Sequence, residues 1–227
     1  MSARSYDAYE GLNRLALDRA GQAEAFDAIG DQYEVAFPHK EGQIASADWL
    51  AGALPAGSRI LDAGCGTGLP TARQLSQAGH RVVGIDLSPG MVKLSRDNVP
   101  DGEFHRLDIA DLRGGRLGGP GSFDGIAAYF SLLMMPRAEI PCALGMLHDL
   151  LRPGGLMALS MVEGDIDDFP IPFLGSTIRV SGYLRDDLRR VVRDAGFDVV
   201  GEDSYAYAPA STDVPPEIQL FLHLRRA

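Results

Sequence analysis

Residues 60–68 read Ile60-Leu61-Asp62-Ala63-Gly64-Cys65-Gly66-Thr67-Gly68, and the 227-residue chain is organised around them. Arg59 followed by the apolar pair Ile60-Leu61 predicts a strand, the glycines a tight turn, and Leu69 to Gln77 a helix that starts at once. Without Cβ atoms, Gly64, Gly66 and Gly68 let the backbone take positive φ and let a ligand press against it, while the free N–H groups of the helix start point into the same space. A dinucleotide fingerprint would place a third Gly or Ala where this chain has Leu69. Asp62 is out of place beside a pyrophosphate and suits a cation. The stretch therefore predicts a cradle for a positively charged nucleoside and argues against NAD.

Asp62-Ala63-Gly64-Cys65-Gly66-Thr67-Gly68 resembles the first motif of the class I S-adenosylmethionine (SAM)-dependent methyltransferases. Gly84-Ile85-Asp86-Leu87-Ser88, Leu107-Asp108-Ile109, Phe123-Asp124, Leu151-Arg152-Pro153-Gly154-Gly155 and Ala195-Gly196-Phe197 follow in that family's order, so the resemblance covers roughly residues 24–226. It is closest to the small-molecule members. It implies an α/β fold, a doubly wound, seven-stranded, mostly parallel sheet of Rossmann-like methyltransferase type with an N-terminal helical lid and an antiparallel last strand. It also implies SAM as cofactor and S-adenosylhomocysteine (SAH) as product. The expected organisation is one domain over residues 1–227: a lid over 1–53, a SAM-binding core over 54–162, a substrate-specific insertion over 163–180, and a C-terminal helix and strands over 181–227.

A chain of this length has room for one substantial core, and with 45% hydrophobic and 23% charged residues its composition is that of an ordinary globular protein. No apolar run approaches the roughly 20 residues of a membrane helix, and Ser2 to Arg19 lacks the apolar core of a signal peptide, so a cytoplasmic location is expected. The formal charge of −10 argues against nucleic acid as partner, because phosphate contacts need a basic face. Cys65 and Cys142 suggest neither a disulfide framework nor a metal cluster. Lys40 and Lys93 are the only lysines beside 19 arginines, an association with GC-rich bacterial genomes.

Taken in order, residues 5–20 can be helical, and Phe26, Ile29, Tyr33 and Phe37 recur at helical spacing over 22–36 until Pro38. The resemblance lays this segment over the cofactor, where Tyr33 would cover the methionine part; ordinary aromatic packing is the alternative. A helix is expected over 43–53. Asp86 ends an apolar strand (81–86) and should emerge beside the glycine turn, where its carboxylate can accept two hydrogen bonds from a ribose diol. Capping of the next helix is the competing role, but Ser88-Pro89 suffices for that. Leu87 and Met91 would wall the adenine. Asp108 can accept from the adenine amino group while the Ile109 N–H meets a ring nitrogen, unless Asp108 only forms a turn. The run from Tyr129 to Pro136 leaves the strand 123–128 where the methyl should lie; its aromatic and sulfur side chains, Phe130 among them, can shape the acceptor pocket and touch the sulfonium, with core packing the alternative for the Leu and Met members. Residues 163–179 fit neither the helical nor the strand period; Ser181 is expected to begin an amphipathic helix, and strands are expected over 156–161, 197–202 and 218–224.

The implied activity is methyl transfer from SAM to O, N or C of a small-molecule acceptor. A weak nucleophile would need a base, for which His39, in a loop expected near the methyl, is the first candidate and Tyr129 the second. A solvated loop position is the plain alternative for His39. His148 and His223 are read as structural. A SAM-holding protein that catalyses a cyclisation, or a non-catalytic SAM-binding protein, are the rival readings, since fold does not decide function.

Overall fold

The computed structural model describes residues 19–208 and 216–227. Three helices, α1 (Arg19–Ile29), α2 (Gln32–Ala36) and α3 (Glu41–Ala53), precede the glycine stretch. Then come β1 (Arg59–Ala63), α4 (Thr71–Gln77), β2 (Arg81–Asp86), α5 (Pro89–Asn98), β3 (Glu103–Arg106) and β4 (Phe123–Tyr129). After α6 (Ile140–Leu150) and β5 (Leu151–Val162) the chain forms β6 (Ile166–Phe173), β7 (Ser176–Gly182), α7 (Arg185–Asp194), β8 (Phe197–Tyr207) and β9 (Glu217–Arg226).

Seven strands make one sheet in the order β3-β2-β1-β4-β5-β9-β8. The first five are parallel, and β9 is antiparallel to both neighbours. Parallel strands are buried on both faces, which is why β1 and β4 read as apolar runs rather than as alternations. Ile60 packs on the side of Leu50 and Ala47 of α3 and Leu75 of α4. Leu61 packs on the other side, with Ile126, Leu144 of α6 and Val192 of α7. The result is a doubly wound, Rossmann-like sheet, as expected. Among the described residues no helix is long and apolar enough to cross a membrane.

Several local expectations need correction. The helix expected over 22–36 is two helices, because Gly30 takes a φ of 49° and turns the chain between α1 and α2. The helix after the glycine turn begins at Thr71 rather than Leu69, with Pro70 at its N-cap. The stretch without a period is an antiparallel hairpin: Leu174 and Gly175 carry φ of 50° and 79° between the paired residues Phe173 and Ser176. Two consecutive positive φ values suit a two-residue hairpin turn. Since Ser181 and Gly182 still belong to β7, the amphipathic helix starts at Arg185. β5 begins at Leu151, and its pairing with β4 shifts register between Phe123 and Gly125. β8 and β9 are longer than expected, at 11 and 10 residues. The helix expected over 5–20 lies almost wholly outside the described residues.

Candidate active site

Register alone brings the motif residues together. In the parallel pairing of β1 with β2, Ala63 stands beside Ile85, so Asp86 emerges beside Gly64 at the carboxyl edge. The N–H groups of Gly64 and Cys65 both donate to the Ile85 carbonyl, at 2.8 and 2.9 Å. The Gly66 N–H donates to Asp86 Oδ2 at 2.9 Å, and the Ser88 N–H donates to Oδ1 at 2.9 Å. A carboxylate oxygen can accept more than one hydrogen bond, so this bracing leaves Asp86 acceptor capacity toward a ligand. Ser88 caps α5 by accepting from the Met91 N–H at 3.0 Å. A Cβ at Gly66, whose φ is 52°, would meet nothing within 4 Å, whereas one at Gly64 would run into Ser131 Cβ. Gly66 thus leaves room for a ligand, and Gly64 leaves room for the protein.

These residues line one cavity. Tyr33, Gly64, Cys65, Gly66, Asp86, Leu87, Met91, Asp108, Ile109, Tyr129 and Phe130 all reach it. Asp62 does not: it lies beneath the turn at 2% exposure, with Oδ2 lacking a hydrogen-bond partner among the described residues. Burial, helped by the charge of Asp86, raises its carboxyl to about 7. Burial also lifts Asp86 above the usual aspartate range, against the pull of the Ser88 and Gly66 N–H groups. Two buried carboxyls beside an open glycine turn fit a cationic nucleoside and oppose an anionic one. Asp108 Oδ1 accepts from the Ala110 N–H at 2.8 Å, so it forms the turn as well as lining the cavity.

The two N-terminal helices close over this cavity through polar clasps. Asp27 of α1 accepts from the Ser88 hydroxyl and, at 2.8 Å, from the Gly90 N–H. Gln22 donates to the Met134 carbonyl at 2.8 Å and accepts from the Arg179 N–H of β7 at 2.9 Å. Glu34 of α2 accepts from the Thr67 hydroxyl at 2.7 Å and pairs with Lys40 at 2.6 Å.

A second, mostly apolar cavity adjoins the first. Tyr33, Gln43, Phe130 and Met134 line both. Its remaining wall comes largely from the hairpin (Ile166, Ile171, Phe173, Ile178, Val180) and from Phe37. Phe130, at the junction, has a φ of 52°, a costly conformation for a bulky residue, and its N–H is held by Ser160 Oγ at 2.9 Å.

The two expected bases fare differently from the residues expected to hold the cofactor. His39 reaches the second cavity only; its side chain is 72% exposed, with Nδ1 3.3 Å from Glu41 Oε1. Tyr129 is buried, and desolvation holds its phenol far above the ordinary value, which opposes the phenolate a base requires. His148 packs edge-on against Phe197 at 5.3 Å, and His223 stacks on Trp49 at 4.0 Å; neither lines either of these two cavities. Sequence reasoning passed over Gln22, Gln43, Tyr207 and Glu217. Only Gln22 carried a local signal, as a polar residue on the apolar side of a helix with Phe26 and Ile29.

Residues 60–155 match the model of a methyltransferase domain. An uncharacterised methyltransferase of Synechocystis sp. is 31% identical over 160 residues, 68% of this chain and 73% of its own length. A malonyl-[acyl-carrier protein] O-methyltransferase of Pectobacterium atrosepticum is 32% identical over 185 residues, 77% of this chain and 65% of its own. The crystal structure of a Burkholderia thailandensis 1,6-didemethyltoxoflavin-N1-methyltransferase, bound to 1,6-didemethyltoxoflavin and SAH, superposes with a TM-score of 0.66 at 22% identity. That match covers 100% of this chain and 91% of that one.

Proposed function

The chain belongs to the class I SAM-dependent methyltransferases, and on that premise we propose that it methylates a small-molecule acceptor held in the second, apolar cavity. The observation that carries this reading is the shared wall of Tyr33, Gln43, Phe130 and Met134 between the cavity at the glycine turn and an apolar chamber. When bound, SAM supplies a methyl group already activated on a sulfonium.

The residues then have to bind, align and exclude water. Asp86 holds the ribose diol while bracing Gly66; Leu87, Met91 and Ile109 wall the adenine, and Asp108 accepts from its amino group. Asp86, joined by Asp62 as it ionises through about pH 7, supplies the negative field that a sulfonium and an ammonium need. Tyr33, in ring contact with Phe26, Phe37 and Phe173, lines the junction together with Phe130. Alignment of nucleophile and methyl at such a junction is worth up to roughly 7–11 kcal/mol. His39, on the solvent side, suits acceptor entry better than proton abstraction.

The test is to incubate the purified protein with SAM and a panel of small aromatic and aliphatic acceptors bearing O–H, N–H or activated C–H groups, and to measure SAH. Acceptor-dependent SAH formation supports the reading. Tight SAM binding with product formed but no SAH released would instead identify a non-methylating catalyst.

A further inference from the structure

The apolar cavity contains one polar constellation that the motifs do not explain. Tyr207 of β8 and Glu217 of β9 are directly paired across the antiparallel ladder, and Gln219 follows two residues on, so all three share one face of the sheet. All three line the second cavity. Gln219 Nε2 donates to Glu217 Oε1 at 2.8 Å. Tyr207 is 8% exposed, and its hydroxyl has no hydrogen-bond partner among the described residues. A buried hydroxyl without a partner costs about 1–3 kcal/mol, a price that a bound ligand removes.

Other charges around the cavity are already matched. Lys40 pairs with Glu34 at 2.6 Å, Glu163 with Arg185 at 3.1 Å, and His39 with Glu41 at 3.3 Å. Among the described residues no cation pairs with Glu217. The walls beside it are flat and aromatic: Phe37 stacks on Tyr207 at 5.9 Å and on Phe173 at 5.6 Å. A carboxylate and a phenol set in an aromatic slot fit a flat ligand that presents a proton.

We propose that Glu217 and Tyr207 recognise a planar aromatic acceptor through its O–H or N–H group, and that Glu217 takes that proton as the methyl arrives. This rests on the methyltransferase reading of the adjoining cavity. The acceptor oxygen or nitrogen forms the bond to the methyl carbon, the carbon–sulfur bond breaks with its electron pair left on sulfur, and the acceptor proton passes to the Glu217 carboxylate and then to water. Burial raises the Glu217 carboxyl, opposed by the Gln219 amide, which makes it a stronger proton acceptor than an ordinary glutamate. The titratable groups that line the cavity with it are Tyr33, His39, Lys40, Glu163 and Tyr207. Glu41 adds its charge at Tyr207.

The probes are 2-naphthol and 2-methoxynaphthalene, which share a ring system and differ in the proton. Their binding is measured at saturating SAH, with SAH affinity measured separately by calorimetry. Wild-type protein should bind the naphthol about 10- to 100-fold tighter than the ether, the range of one hydrogen bond to a charged group. E217Q should lose most of that preference and Y207F part of it, both with SAH affinity unchanged within about twofold. With naphthol and SAM, SAH release should fall about 10²- to 10⁴-fold in E217Q, and the rise of rate with pH through a raised carboxyl should vanish. Equal binding of the two probes to wild-type protein, no binding of either, or a preference retained in E217Q, each with SAH bound normally, would overturn the proposal. Failure of the wild-type protein to bind SAH would instead overturn the reading of the first cavity.

Discussion

Replacing Asp62 by Asn tests the charge logic beneath the glycine turn. Folding buries this carboxyl to 2% exposure and raises it to about 7, first by desolvation and then by the charge of Asp86. In an unfolded chain an aspartate titrates at about 3.9. Between about pH 4 and pH 7 the folded state therefore keeps a proton that the unfolded state has lost, so stability falls as pH rises through that window. Three pH units at about 1.4 kcal/mol each make about 4 kcal/mol, fully present below pH 4 and gone above pH 7. D62N has no such proton to lose. Its buried amide brings unmet donors that cost about 1–3 kcal/mol, so the two proteins should lie within about 1.5 kcal/mol of each other at pH 5 and the variant should become the more stable by about 1–3 kcal/mol at pH 8. Glu217 is also raised by burial and slopes the same way in both proteins, so the difference between the curves reports the Asp62–Asp86 pair, which is coupled by charge. Urea unfolding of the ligand-free proteins, followed by circular dichroism at pH 5, 6, 7 and 8, reads the effect. Parallel curves across that range would refute the reasoning. SAM affinity should move oppositely, rising with pH through about 7 in the wild type, and D62N should lose that part of the rise and keep only what Asp86 contributes, because only an ionised carboxylate attracts a cation.

Asp86→Ala should weaken SAM binding by about 1.5–3 kcal/mol, since it removes a charged acceptor and unbraces the Gly66 and Ser88 N–H groups; an unchanged calorimetric dissociation constant in a folded variant would exclude the ribose role. Gly64→Ala and Gly66→Ala should separate fold from function. The first drives a Cβ into Ser131 and should lower stability by about 2–4 kcal/mol, while the second meets open space and should cost SAM affinity at least about tenfold with only about 1 kcal/mol of stability. Thermal melts paired with SAM titrations distinguish them, and equal stability losses would count against the cradle geometry. His39→Ala should raise acceptor KM and leave kcat within about tenfold, because the imidazole is solvent-facing; a loss of kcat of about 100-fold or more would return the base role to His39.

The glycine turn, the doubly wound sheet and the meeting of the candidate cofactor residues at its carboxyl edge were legible from the chain alone. Strand, turn and helix signals are local, and a parallel sheet brings every strand's C-terminal end to one edge, so Asp86, Asp108 and Phe130 converge without any knowledge of side-chain packing. Exposure and desolvation are not local. They removed Tyr129 from consideration as a base, put His39 on the solvent side and raised Asp62, and each effect depends on segments remote in sequence. The hairpin escaped because its turn is Leu174-Gly175 rather than an Asn or Asp with Gly, and Pro170 and Pro172 blur the alternation of its strand. Glu217 and Tyr207 escaped for a further reason: nine residues separate them, and only the antiparallel register of β8 with β9 sets one beside the other on the face that the hairpin covers. Local chemistry thus decided what the cradle binds, while the shape and charge of the chamber next to it came from long-range pairing that no motif encodes.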